Sequence, residues 1–373
     1  MIRFFRYILL VFALLTGLNV MAGSTVKVGV MLPLHDVDGD GKRMVEYYRG
    51  VLLACEDLKQ ENIDIEVRAW NVPGDADIRP TLLSNGAKNC DIIIGPLYSA
   101  QVKPLAEFCA NYKIKMLIPF SINSFEVMNN RYVYQVYQSQ PELDQAAIKA
   151  FFNRFPDCHP VIIDCNNPKA SRGDFTAAMR TELEKRHISY NLTNLVSPDE
   201  AFIKAFDNTK RNVVILNSVA SRDLTAALDK LDLMTKVHPG KAISIFGYTP
   251  WFMYTKYNQE RFSKYDTYIP SCYYYNANSK KTQELELRYQ QWFGAHTQWA
   301  LPRFAITGYD HAQFFIRGIY LMGKSFTGEK GQSLYQPLQT PLRFARQQNG
   351  GLKNNAFLLI HYNYNHNIEE ITY

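Results

Sequence analysis

The sequence predicts an α/β protein built as two βα lobes, and three observations carry that prediction. Two short apolar runs, DIIIGPLYS from Asp91 to Ser99 and KMLIPFS from Lys115 to Ser121, stop abruptly at Gly, Pro or Ser and lead into helix-like segments. Such runs read as buried parallel strands. Strand and helix patterns alternate from Thr25 onward, and the same alternation restarts after Gln138-Ser139-Gln140-Pro141. Alternation demands parallel pairing through right-handed crossovers. Finally, 373 residues are enough for two domains of ordinary size.

The elements follow in order. In the first lobe Val26 to Leu32 is expected as strand, Glu46 to Leu58 as an amphipathic helix, Ile63 to Trp70 as an alternating strand and Pro80 to Lys88 as helix. Strand Ile92 to Ile94, helix Val102 to Asn111 and strand Lys115 to Ile118 complete that set. The second lobe reads as helix Glu142 to Phe155, strand Val161 to Asp164, helix Asp174 to Arg186, strand Val213 to Leu216, helix Arg222 to Leu231 and strand Ile243 to Phe246. Two further helices, Lys281 to Phe293 and Tyr309 to Gly323, precede closing strands Ala356 to Tyr364 and Ile368 to Tyr373 around Asn365-His366-Asn367. In open α/β sheets ligands sit outside the carboxyl ends of the strands, so Gly95 to Ser99 and Pro119 to Asn123 are the first places to look for function.

Residues 1–22 have the layout of a secretory signal: Arg3 and Arg6, an apolar run from Tyr7 to Leu18, and the small-residue site Val20-Met21-Ala22 ahead of Gly23. The run is about a dozen residues, short of the roughly 20 that span a bilayer. The expectation is therefore a periplasmic or otherwise exported chain, soluble after cleavage. Without Arg3 and Arg6 the balance is 39 basic to 35 acidic residues, a net +4 too mild and too interspersed for nucleic acid. The six cysteines show no CxxC and no metal-finger spacing. Their pairing stays open, except that Cys158 and Cys165 flank a strand holding them roughly 20 Å apart, too far for a bond.

The chain resembles the type I periplasmic binding proteins, of the branched-chain amino-acid receptor type. The residues that carry the resemblance are VKVGVMLPL (Val26 to Leu34), EYYRGVLLACEDL (Glu46 to Leu58), the stretch from Ile92 to Ser121, and GYDHAQFFIRGI (Gly308 to Ile319). The resemblance implies two Rossmann-like lobes joined by three crossovers with a cleft between them, residues 23–140 plus 274–345 forming one lobe and 141–273 plus 346–373 the other. It places the crossovers near Gln138 to Pro141, Ile269 to Asn276 and Pro341 to Lys353. A small-molecule ligand and a membrane permease of an ABC transporter are the implied partners, for uptake or sensing. The alternative is a cell-envelope interaction or regulatory module, peptidoglycan-related, on the same fold.

Receptors of this type hold the ligand carboxylate with serine and threonine after the two strands and clamp its ammonium with an acid in the second lobe. Ser99 and Ser121 match, but Ile122 replaces the threonine and the loop Gly247 to Trp251 has no acid. A buried ammonium without a carboxylate is costly, so an apolar, aromatic or sugar-like ligand is expected. The candidate ligand-binding residues are Tyr98, Ser99, Phe120, Ser121, Asn217, Ser218, Tyr248 and Trp251. The competing structural roles are helix capping for the serines and packing for the aromatics.

Asp36, Asp38, Asp40 and Gly41 begin a calcium-loop pattern, but Tyr47 stands where its closing bidentate Glu belongs, so a solvated turn is expected. His361 and His366 read as ordinary hairpin residues. Asn191-Leu192-Thr193 is a formal glycosylation sequon, a weak signal on its own. Nucleophile elbow, metalloprotease, P-loop and dinucleotide motifs are all missing from the sequence, so no enzyme, cofactor or metal is expected.

Overall fold

The computed structural model describes residues 25–120 and 122–373. The expected signal segment and Ser121 lie outside the described residues. The chain divides into two compact units. The first holds the described residues up to Gln135, with Gly308–Tyr335 and Arg346–Leu352. The second holds Val136–Thr307, Gln336–Ala345 and Lys353–Tyr373.

In the first unit β1 (Val26–Leu32) leads to α1 (Gly39–Gln60), β2 (Ile65–Asn71), the short α2 (Arg79–Leu82), β3 (Ile92–Ile94), α3 (Val102–Tyr112), β4 (Lys115–Ile118), α4 (Glu126–Asn129) and β5 (Val133–Gln135). β1 is buried along its length except at Lys27, and β3 and β4 are buried throughout. Burial on both faces is why these strands read as continuous apolar runs. β1 pairs in parallel with β2 and β3, β3 with β4, and β4 with β5.

The second unit contains α5 (Gln140–Arg154), β6 (His159–Asp164), α6 (Gly173–Lys185), β7 (Asn191–Asn194), α7 (Asp199–Lys204), β8 (Asn212–Leu216), α8 (Ser221–Val237), β9 (Ile243–Phe246), α9 (Thr255–Lys264), β10 (Thr267–Ser271) and α10 (Lys280–Phe293). Then α11 (Phe304–Met322) begins in this unit and runs into the first, followed by β11 (Phe344–Arg346), β12 (Leu352–Asn354), β13 (Leu358–Tyr362) and β14 (Ile368–Thr372). The strand orders are β11-β12-β5-β4-β3-β1-β2 and β14-β13-β10-β9-β8-β6-β7. β6 to β10 pair in parallel, whereas β13 runs antiparallel to β10 and to β14. Each sheet reverses its winding once, between β1 and β3 and between β6 and β8. Those reversals are the switch points where open α/β sheets take ligands.

Several segments depart from expectation for identifiable reasons. The helix expected over Pro80 to Lys88 is broken, because Gly86 adopts a left-handed conformation (φ 91°) and a 3-10 turn, Ala87–Asn89, follows. β7 was not expected, since NLTN is polar and half-exposed at a sheet edge. β10 contains Pro270, which hides a strand in the sequence. Residues 274–307, expected with the first lobe, belong to the second unit. There the Tyr274 ring packs on Phe252 at 5.4 Å and its N–H donates to the Gln339 carbonyl. Gly308 marks a close helix contact within the first unit: a Cβ there would lie 2.0 Å from the Tyr47 carbonyl oxygen of α1. All six cysteines are unpaired, five of them buried.

Candidate functional site

In the first unit the turn leaving β3 depends on Gly95. Its φ of 138° suits only glycine, and a Cβ would sit 2.2 Å from the Met31 carbonyl oxygen of β1. The turn delivers Tyr98, half-buried, with its hydroxyl donating to Asp40 Oδ2 at 3.2 Å. Ser99 follows, exposed, at the start of a 3-10 turn that leads into α3. From the end of the neighbouring β4, Phe120 lies half-buried with its ring edge-on to Tyr47, centroids 5.2 Å apart. Tyr98, Ser99 and Phe120 thus share the carboxyl edge of the first sheet. The aspartates beside them have structural work. Asp38 caps α1, its Oδ1 accepting from Gly41 N at 2.6 Å, and Asp40 pairs with Arg43 at 3.3 Å.

The second unit holds a cavity of about 470 Å³ at the carboxyl ends of its strands. Arg172 comes from the loop after β6, Val219 from that after β8, Tyr248 and Pro250 from that after β9, and Tyr273 from that after β10. α5 adds Asp144, and the segment before β13 adds Phe357. A volume of this size suits a small organic molecule.

The wall carries one ion pair. Arg172 Nη2 donates to Asp144 Oδ1 at 2.5 Å, both side chains largely buried, and Gln140 Nε2 donates to the same oxygen at 2.9 Å. The Arg172 guanidinium is also packed over the rings of Tyr248, at 4.7 Å, and Phe175, at 5.1 Å. Its buried Nε has no hydrogen-bond partner among the described residues. The Tyr248 hydroxyl donates to the Leu216 carbonyl, and burial pushes its pKa up, with Arg172 opposing. Tyr248 therefore offers a ligand its ring rather than its hydroxyl.

Other candidates serve the fold. Trp251 is fully enclosed in the core, stacked with Phe262 at 6.1 Å, and does not line the cavity. The 3-10 turn over Thr249–Tyr254 swings it inward under the sheet end. Asn217 accepts from Cys165 N at 2.9 Å and donates to Asp164 at 3.0 Å, joining the loops after β6 and β8. Ser218 is buried and donates to Asp223 at 2.6 Å in the first turn of α8. Neither lines the cavity. Asp144 and Arg172 were missed: the acid sought in Gly247 to Trp251 stands instead on α5, where only the fold brings it to the strand ends.

No protein-family model matches the chain, and no curated protein matches it by sequence. Solved structures do match by shape. A protein assigned to branched-chain amino acid ABC transport from Rhodospirillum rubrum aligns with a TM-score of 0.57 at 12% identity, covering 93% of this chain and 100% of that one. An ABC-type branched-chain amino acid transporter from Rhodopseudomonas palustris gives 0.52 at 14% identity, covering 90% and 91%. A periplasmic ligand-binding protein of a branched-chain amino acid ABC transporter from Burkholderia xenovorans gives 0.51 at 12%, covering 93% and 95%. At these identities the likeness speaks for architecture, and it agrees with the two seven-stranded sheets and their strand orders. The fold of this chain is therefore the periplasmic binding protein-like α/β fold of type I.

Proposed function

We propose that the chain is an exported solute-binding protein that takes up a small molecule at the carboxyl edge of its second sheet, for uptake or sensing. The observation that carries this reading is the cavity of about 470 Å³ at the strand ends, lined by Tyr248, Tyr273 and Phe357 around the Asp144–Arg172 pair. Export rests on the signal layout of residues 1–22. Among the described residues, no helix is long and apolar enough to cross a membrane. Tyr98, Ser99 and Phe120 are proposed as ligand contacts on the first sheet's own carboxyl edge.

The cavity chemistry favours a neutral solute with hydroxyl or amide groups over a free amino acid. Asp144 is charge-compensated by Arg172, so a ligand ammonium would compete with a guanidinium for one carboxylate. By contrast a neutral hydroxyl can donate to Asp144 Oδ2, and apolar carbons can pack on Phe357 and Tyr273. The protein would bind and release this solute without chemical change. Mass spectrometry of the natively exported protein, under non-denaturing conditions, tests the reading. A bound neutral metabolite supports it. Uniformly ligand-free protein that also fails to bind a panel of sugars, aromatics and amino acids overturns it in favour of a cell-envelope interaction module.

A further inference from the structure

The second unit has another cavity, of about 480 Å³, at the opposite end of the same sheet. Its walls come from residues just ahead of the parallel strands, Asp157 before β6, Arg211 before β8 and Asp266 before β10. Arg154 joins them from the last turn of α5, and Asn363 and Asn365 from the β13–β14 turn. This is the end of an α/β sheet where ligands are not ordinarily found.

Counting donors and acceptors shows which charges are committed. Asp266 Oδ2 accepts from Arg211 Nη1 at 2.7 Å and Ser244 Oγ at 2.8 Å, while Oδ1 faces His361 Nε2 at 2.7 Å. Glu369 Oε2 faces His361 Nδ1 at 2.9 Å, and Oε1 accepts from Asn363 Nδ2 at 2.9 Å. All four of these carboxylate oxygens are engaged. Arg154 is different. Its Nε and Nη2 both donate to the Tyr268 hydroxyl, at 3.0 and 2.6 Å, an uncharged acceptor. No carboxylate among the described residues forms an ion pair with it. A guanidinium has five N–H donors, so three remain. Among the described residues Arg211 engages only its Nη1, with Asp266, Ser244 and the Tyr364 hydroxyl, leaving Nε and Nη2.

We infer that this cavity binds a small molecule through an oxyanion, a carboxylate or a phosphate ester, held by the uncommitted donors of Arg154 and Arg211. A planar guanidinium fork matches the geometry of either group. The rings of Phe155, Tyr268 and Tyr364 line the same space and give the body of the molecule an apolar surface. Tyr268 is held in place by stacking on His361, centroids 4.0 Å apart and planes at 7°. Two carboxylates line the cavity: Asp266 is tied to Arg211 and Ser244, whereas Asp157 is exposed and has no hydrogen bond or ion pair among the described residues. Its charge repels an incoming anion.

That opposition gives the test two signs. Titration calorimetry on the full chain uses inorganic phosphate, phenyl phosphate and phenylacetate as probes. One molecule of phenyl phosphate or phenylacetate should bind per chain, more tightly than inorganic phosphate, and binding should weaken as ionic strength rises. Whichever aromatic probe binds more tightly identifies the oxyanion. Arg154→Gln should weaken binding about tenfold or more, whereas Asp157→Asn should strengthen it. Should Arg154→Gln fail to fold for want of its Tyr268 contact, Asp157→Asn decides alone. Silence of all three probes at millimolar concentration overturns the inference, as does unchanged affinity in folded Arg154→Gln or weakened affinity in Asp157→Asn.

Discussion

Asp144 and Arg172 meet at 2.5 Å in the wall of the cavity at the carboxyl ends of the second sheet's strands, from α5 and from the loop after β6. Both are mostly buried, so removing one partner strands the other charge. Arg172→Met should lower stability by up to about 3 kcal/mol, and Asp144→Asn by less because an amide still accepts from the guanidinium. Urea unfolding of both variants checks the order. Losses that are equal, or reversed, would show that the pair does not hold the wall together.

Burial should make the first unit sensitive to acid through His311. Its Nδ1 lies 2.9 Å from the Tyr47 hydroxyl, Nε2 has no hydrogen-bond partner among the described residues, and burial drives its pKa down to about 3. The folded value lies below the unfolded one, so the unfolded chain takes up the proton first. The stability due to neutral His311 is fully present above about pH 6.5 and is lost as pH falls toward about 3, by up to about 1.4 kcal/mol per pH unit. His311→Gln should flatten that limb of the stability profile, measured by urea unfolding across the acid range. A parallel profile in the variant would assign the acid loss to other groups.

Gly95 should tolerate no side chain. Because φ is 138° and a Cβ would lie 2.2 Å from the Met31 carbonyl oxygen, Gly95→Ala should cost upward of about 2 kcal/mol. It should also shift the Tyr98 environment, visible as a changed near-ultraviolet circular dichroism signal. Gly173→Ala is the control, since nothing among the described residues lies within 4 Å of its added methyl. Equal melting temperatures for the two variants would contradict this account.

Calcium should leave the protein unmoved. Asp38 is used as the cap of α1 and Asp40 is paired with Arg43, so the loop does not present a free set of oxygens. Melting curves in chelator and in millimolar calcium should superimpose, whereas Asp38→Ala should cost about 1 kcal/mol through loss of the cap. A calcium-dependent rise of several degrees would reverse the assignment.

The fold was legible where burial was two-sided. β1, β3, β4 and β9 begin and end where the sequence predicts, because their apolar runs are bounded by turn residues. Legibility failed where one face meets water or the strand carries proline. β7 is polar, β10 contains Pro270, and α9, TKYNQERFSK, has too few apolar positions to show a helical period. The site was legible only in part. Tyr248 follows a readable strand and does line the cavity, but Trp251, three residues on, turns into the core. Asp144 and Arg172 are 28 residues apart and carry no motif. Only the packing of α5 against the loop after β6 makes them a pair.

The six unpaired thiols have a consequence for how the molecule fails. Burial pushes the pKa values of Cys90 and Cys272 up to about 11 and those of Cys55, Cys158 and Cys165 up to about 12, and it raises Cys109 as well. Reaction with oxidants needs the thiolate, so the native state keeps these sulfurs inert even in an oxidising medium. Unfolding removes that shelter from all six together. Each excursion into the open chain then exposes thiols that can form mispaired cross-links, turning a reversible melt into a ratchet. In such a medium the protein's lifetime is set by how rarely it opens, and a reductant should lengthen its useful half-life at elevated temperature without altering a single native contact.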